Sequence, residues 1–320
     1  MATATQTKDG VVSLQRDEMK AAEPMWRMTL RRFRRHKMAV FGIFLLLVVI
    51  SWVVGGSFFV SEDFANEPNP DNRFGPPTNI NPFGTDQVGR DVLARTIYGG
   101  QISLLVGIFA IALALTMGTV VGLLAGYFAG TKANWIDAIL MRIVEAMLAF
   151  PTLILLLLLS PIVIRIQGEI WFFGRTLSPS VVAIVLLIGL TGWMGLSRVV
   201  RSLVLSLKER DFVLAARTLG ATDMQIIFKH ILPNCLAPIL VTATLGIGGA
   251  IVTESALSFL GFGVQPPTAT WGNILERVRD AFNVAWWLWV FPGLFIVLTV
   301  LSINFIGDGL RDAFDPRSQK

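Results

Sequence analysis

The stretch DFVLAARTLGATDMQIIFKHILPN, residues 211–234, decides how the chain is read. It lies between two long apolar runs, yet it is too polar to cross a bilayer and too apolar for a plain loop. Val213, Leu214, Ala215, Ala216 and Leu219 form one helical surface rich in small residues, and Gly220 is placed to end that helix, because glycine accepts a left-handed backbone. Thr222, Asp223, Met224 and Gln225 fit a capping box, so a second helix is expected through Ile226, Ile227, Phe228 and Ile231 until Pro233 stops or bends it near Leu232. The alanines permit close approach of another backbone. Ile226, Ile227 and Phe228 supply apolar area, and Arg217, Asp223 and Lys229 a polar rim. An apolar centre with a charged border outlines an interface. The same residues also suit a hairpin packed only against its own bundle.

The flanks fix the class. Of 320 residues 53% are hydrophobic and 15% charged, with a mean hydropathy of +0.64; average soluble chains carry about 25% charge. A helix needs about 20 mainly apolar residues to cross roughly 30 Å of hydrocarbon. Six stretches qualify, at 39–60, 102–128, 136–164, 181–198, 238–260 and 285–306. All are expected to be helices, since lipid offers the backbone no hydrogen-bond partner. With the N-terminus inside, nineteen of the 27 Lys and Arg fall on inner segments, seven on outer ones, and Arg142 within a span. That bias places both termini and residues 211–234 on the cytoplasmic side.

The expected organisation is a single membrane domain with tails: 1–38 a polar tail and basic amphipathic helix, 39–60 the first span, 61–101 an extracytoplasmic loop, 102–306 a core of five spans holding the loop 199–237, and 307–320 a cytoplasmic tail. Residues 1–23 are polar and expected to be mobile; MATATQTKDG lacks the apolar stretch of a signal peptide, so the first span is expected to remain as an anchor. In 24–37, Trp26, Leu30 and Phe33 recur at helical spacing among Arg27, Arg31, Arg32, Arg34 and Arg35, which suits a helix lying on the inner membrane face rather than one binding nucleic acid. Residues 61–100 and 261–273 are turn-rich outer loops, too short for a catalytic domain, that cover the outer mouth or touch a partner.

Chemistry-bearing motifs are few. No Gly-x-x-x-x-Gly-Lys-[Ser/Thr], Gly-x-Ser-x-Gly or His-Glu-x-x-His occurs. One cysteine, Cys235, excludes an intrachain disulfide, and His36 and His230 are far apart, so no metal site is expected. A charge at mid-bilayer costs about 2.5–3.5 kcal/mol, so three residues within spans stand out. Arg142 and Glu145, three apart on one helical face, form a local ion pair or line a pathway. Glu254, near Gly246, Gly248, Gly249 and Ala250, lines a path or hydrogen-bonds a neighbouring helix. Pro151 and Pro161 are placed to kink the third span, and Met147 and Phe150 read as packing residues.

LAARTLG followed by KHILPN resembles the EAA loop of binding-protein-dependent ABC importer permeases. Ala215, Ala216, Gly220, Leu232 and Pro233 match; Leu214 stands where that family has glutamate and His230 where it has isoleucine. Both departures resemble the peptide/nickel branch. FGTDQVGRDVLARTIYGGQISL (83–104), ESALSFLGFGVQPPTATWGNIL (254–275) and NFIGDGLRDAFDPR (304–317) are similar to the same branch, most of all to the "C" permease of dipeptide and oligopeptide importers. The resemblance implies an all-α type I permease with six transmembrane helices and a cytoplasmic coupling helix between spans 4 and 5. It implies that Leu214, Ala215, Ala216, Arg217, Leu219, Gly220, Ala221, Thr222, Asp223, Ile226, Ile227 and Phe228 dock on an ATPase. It implies partners too: a homologous second permease, two ATP-binding-cassette subunits that hold ATP and Mg, and an extracytoplasmic peptide-binding protein. This chain itself would bind no cofactor and catalyse no reaction, in a bacterial or archaeal cytoplasmic membrane. Competing readings are an importer for nickel chelates, glutathione or other small cargo, an ion-driven secondary transporter, which needs an acidic relay, and an intramembrane enzyme, which needs a nucleophile–base pair.

Overall fold

The computed structural model describes residues 25–163, 178–276, 278 and 281–315, with the short strands at 5–6, 12–13, 170–172 and 175–177. The polar stretch 1–23 and the end of 304–317 thus lie largely outside the described residues. Twelve α-helices carry the described fold: α1 Met25–Arg35, α2 Lys37–Ile50, α3 Glu62–Asn66, α4 Val92–Phe128, α5 Asn134–Leu148, α6 Thr152–Val163, α7 Pro179–Leu207, α8 Asp211–Thr218, α9 Asp223–Gln225, α10 Leu232–Phe259, α11 Trp271–Glu276 and α12 Trp287–Phe314. The only strands among the described residues are two small antiparallel pairs, Thr5–Gln6 with Val12–Ser13 and Ile170–Phe172 with Arg175–Leu177.

Among the described residues five helices are long and apolar enough to cross a membrane: Lys37–Phe58, Val92–Phe128, Pro179–Leu207, Asp223–Phe259 and Trp287–Phe314. The third expected span, 136–164, is not one helix. It is α5 and α6, bent by 89° at the intervening residues. The break has a local cause: Pro151 lacks an amide proton and its ring disfavours helical backbone at Phe150. Pro161, by contrast, sits inside α6 without breaking it. The expectation that Pro233 ends the helix also changes. Pro233 stands in the first turn of α10, and the backbone widens to a π-helix over Ile226–Ile231 before it. A π stretch relocates the carbonyls that a proline leaves without a donor. The hairpin's second arm is therefore the beginning of the fifth span.

The centre of the bundle is α4 against α7. Gly118, Gly122 and Gly126 fall every fourth residue on α4, and a Cβ on any of them would meet α7 backbone: Trp193 O at 2.8 Å, Ser197 O at 2.6 Å and Arg201 O at 2.9 Å. Between lipid-facing helices, where burial of apolar area drives little, close backbone approach supplies the dispersion contact. Val200 and Val204 of α7 fill the space beside those glycines. α12 packs on α2 in the same way, with Gly309 against Ala39.

At 37 residues α4 is about 55 Å long, more than a bilayer needs. Its first ten residues stand in a cap formed by the loop from Val60 to Asp91. Asp91 caps α4 by accepting from the Ala94 amide at 2.7 Å. Asp86 holds the Arg90 guanidinium at 2.7 Å and the amides of Val88 and Arg90 at 2.9 and 3.0 Å. The indole of Trp287 donates to Thr85 O and that of Trp271 to Thr96 O, and Phe83, Phe291, Trp52 and Phe295 stack beside them. The loop thus closes over the bundle end opposite the hairpin.

Candidate functional site

Residues 211–234 fold as a hairpin on the end of α7. α8 ends at Thr218; the Gly220 amide then donates to Arg217 O at 3.0 Å and the Ala221 amide to Ala216 O at 3.1 Å, a Schellman closure with Gly220 at φ +85°. The capping box forms as expected: the Thr222 hydroxyl accepts from the Gln225 amide at 3.4 Å, and the Gln225 side chain accepts from the Thr222 amide at 3.0 Å.

The two faces of the hairpin differ. Val213, Ile226, Ile227 and Ile231 are buried, packed on Leu123, Tyr127, Val200, Val204, Cys235 and Ile239, and Ala216 is buried as well. Each buried isoleucine contributes about 1.5–3 kcal/mol to holding the hairpin on the bundle. Ala216, Ile226 and Ile227, all expected at the docking surface, are buried within the chain. Among the apolar residues left exposed on the hairpin are Leu214, Met224, Phe228 at 61% exposure and Leu219 at 88%. Ala215, Arg217, Thr222 and Asp223 are also exposed, with Ala221 partly covered.

Polar ties fix the hairpin's base. The Tyr127 hydroxyl donates to Asp223 Oδ1 at 2.5 Å, joining the end of α4 to the second arm. Lys208 Nζ donates to Gly126 O at 3.2 Å and Ala129 O at 2.5 Å, capping the C-terminus of α4 from the end of α7. Sequence reasoning did not single out Tyr127 or Lys208. A lysine one helix end away from a glycine-terminated helix carried no signal until the two helices were seen side by side.

The other singled-out charges lie elsewhere. Arg142 Nη1 is 3.5 Å from Glu145 Oε2 on α5, with side chains 84% and 55% exposed; the local pair forms, and an exposed pair contributes about 0–1 kcal/mol. Glu254 is fully buried in α10. It accepts from the Ser258 hydroxyl at 2.7 Å and the Ser103 hydroxyl at 3.4 Å, with Thr270 alongside. Ser103 belongs to α4 and also accepts from the Trp271 amide at 3.2 Å. Of its two readings, Glu254 takes the helix-joining one. Met147 and Phe150 line a cavity of about 490 Å³ inside the α5–α6 bend, with Leu159, Leu187 and Thr191. His36 caps α2 through Nδ1 and lies 3.3 Å from Asp312, away from His230 in the hairpin.

Comparison with known proteins agrees with this arrangement. Residues 118–320 match the family described as binding-protein-dependent transport system inner membrane component, and residues 24–77 match the N-terminal TM domain of oligopeptide transport permease C. The chain is 40% identical over 301 residues to the dipeptide transport system permease protein DppC of Alkalihalophilus pseudofirmus, covering 94% of this chain and 92% of that one. It is 36% identical to the oligopeptide transport system permease protein OppC of Bacillus subtilis, over 92% of this chain and 91% of that one. Among solved structures, the inward-facing MetNI methionine ABC transporter superposes with a TM-score of 0.54 at 22% identity, covering 68% of this chain and 95% of that one. That likeness bears on the fold alone. On the matched residues and the relatives' identity, the chain belongs to the binding-protein-dependent transport system inner membrane component family: it is a multi-pass permease subunit.

Proposed function

We propose that this permease carries dipeptides or oligopeptides into the cytoplasm as one half of an ATP-driven pore. A homologous second permease completes the half-pore. Two ATP-binding-cassette subunits hold ATP and Mg and hydrolyse it, and an extracytoplasmic binding protein delivers the cargo. The relatives' names, which specify dipeptide and oligopeptide transport, support the cargo. The positive-inside bias supports cytoplasmic termini and a cytoplasmic hairpin.

One observation carries the coupling role. The hairpin presents Leu214, Leu219, Met224 and Phe228 outward from a base buried in the bundle and tied to α4 by Tyr127–Asp223 and Lys208. Apolar side chains on a rigid, polar-rimmed mount suit a groove on another protein, and force applied there enters α4, α7 and α10 together. In this reading Leu214, standing at the family's glutamate position, contributes apolar area instead of a carboxylate contact.

Two measurements test this. The single cysteine, Cys235, is buried, so Leu219→Cys gives a background-free handle for membrane-impermeant thiol reagents. Labelling from the cytoplasmic side alone is expected, and labelling from outside refutes the topology. Proteoliposomes holding both permeases and the ATPase pair should take up a labelled dipeptide only with ATP and binding protein. Uptake by the purified chain alone would refute the assignment.

A further inference from the structure

α5 is the least embedded long helix of the bundle. Of its 15 residues only Asp137 and Val144 are buried. Val144 rests in an apolar cluster with Ala114, Trp193 and Met194, a contact without the directionality of a hydrogen bond. Asp137 is held differently. The Arg201 guanidinium of α7 donates to it twice, Nε to Oδ1 at 2.6 Å and Nη2 to Oδ2 at 2.7 Å, with side chains only 31% and 11% exposed. A bidentate, charge-assisted pair fixes both distance and direction.

Both ends of this tie are well defined. Arg201 sits on the last turns of α7, which runs into the hairpin, and its carbonyl lies against Gly126, where α4 and α7 meet backbone to backbone. Asp137 lies in the first turn of α5. Before it, the α4–α5 turn pivots on Gly130, at φ +72° and with open space around it, its amide bonded to the Asn134 side chain. Beyond it, α5 leads to the 89° bend and the cavity of about 490 Å³ inside that bend. α5 is a lever with a loose pivot, a soft contact and one stiff tie.

We propose that the Asp137–Arg201 pair is a positioning device for transport: it makes α5, and with it the broken third span, follow the α4–α7 pair when the hairpin is displaced. This rests on the coupling role proposed above. Neither residue lines the cavity inside the bend. The pair holds the geometry by which a push on the hairpin arrives at the bend.

The test uses the assembled transporter in proteoliposomes, with peptide uptake and ATP hydrolysis measured in the same vesicles. Wild-type uptake that needs ATP checks the underlying function separately. Arg201→Gln leaves a carboxylate without its partner and risks misfolding, so the doubly neutral D137N/R201Q is the principal variant. Its uptake per ATP hydrolysed is expected to fall about tenfold, with assembly and hydrolysis retained. The charge exchange D137R/R201D should restore the ratio to within about threefold of wild type. A wild-type ratio in D137N/R201Q overturns the proposal. So do uptake and hydrolysis falling in parallel, which marks a merely structural tie, and an exchange variant no better than the neutral one.

Discussion

Gly220→Val isolates the hairpin turn from the rest of the fold. Gly220 sits at φ +85°, and a Cβ there would meet nothing within 4 Å. Crowding therefore adds nothing, and the whole penalty is backbone. For an L-residue in the left-handed region that penalty is about 1–2 kcal/mol, and a β-branched side chain lies at the upper end. At about 2 kcal/mol the closed turn falls roughly thirtyfold relative to opened alternatives. Opening it releases the bonds from the Gly220 and Ala221 amides to Arg217 and Ala216, and the angle between α8 and the second arm is lost with them. Gly220→Asn is the control, since asparagine tolerates this backbone with a smaller penalty. The assay is titration of the solubilised permease with its ATPase subunit, followed by uptake per ATP hydrolysed. The valine variant should insert normally, because the turn lies outside the bundle, and should bind the ATPase about ten- to thirtyfold more weakly. Wild-type binding and coupling in that variant, or an asparagine variant as impaired as valine, would refute the reasoning.

Four further outcomes follow from the packing. Ile226→Ala should destabilise the chain by about 2–5 kcal/mol in thermal unfolding in detergent, because Ile226 is fully buried. Phe228→Ala should leave stability unchanged and weaken ATPase co-purification; the reverse pattern would mean the hairpin faces are misassigned. Glu254→Ala strands the Ser103 and Ser258 hydroxyls in a dry site and should lower stability by about 1–3 kcal/mol, with Glu254→Gln losing less; equal losses would argue against the hydrogen-bonding role. Gly122→Val places atoms 2.6 Å from Ser197 O and Val200 Cβ and should cost about 1–3 kcal/mol, read as a lower yield of folded, detergent-stable protein.

Local signals in the sequence were read well where their cause was local. The Gly220 turn and the Thr222–Gln225 box depend on residues within one or two helical turns, and both stand as expected. Membrane helices were visible in hydropathy because the bilayer imposes their length. What escaped depends on partners far away in the chain. Ile226, Ile227 and Phe228 are alike in composition, and only the seating of the π stretch on α4 and α7 buries the first two and exposes the third. Arg201 entered the sequence reading only as a topological charge, because its partner lies 64 residues away. Pro151 and Pro161 were equal candidates for a kink. Pro151 breaks the helix and Pro161 does not, a distinction that hydropathy does not contain.

The distribution of stiffness follows from these contacts and bears on how a permease can move at all. α4 and α7 approach backbone to backbone at Gly118, Gly122 and Gly126, with side chains such as Leu113, Leu196 and Val200 packed tightly beside them. Interfaces of that kind move as one body, since sliding either helix drives a glycine into a carbonyl. The hairpin base joins this body through Lys208 and the Tyr127–Asp223 bond. α5 joins it through Val144 and the Asp137–Arg201 pair and α6 through Leu156, with a glycine pivot before α5 and a proline break and an apolar cavity between the two. In the proposed coupling, a force on the exposed apolar ridge passes to α5 through the Asp137–Arg201 pair. On that proposal the bend is the compliant element, and displacement should concentrate at residues 149–151, where the third span changes direction.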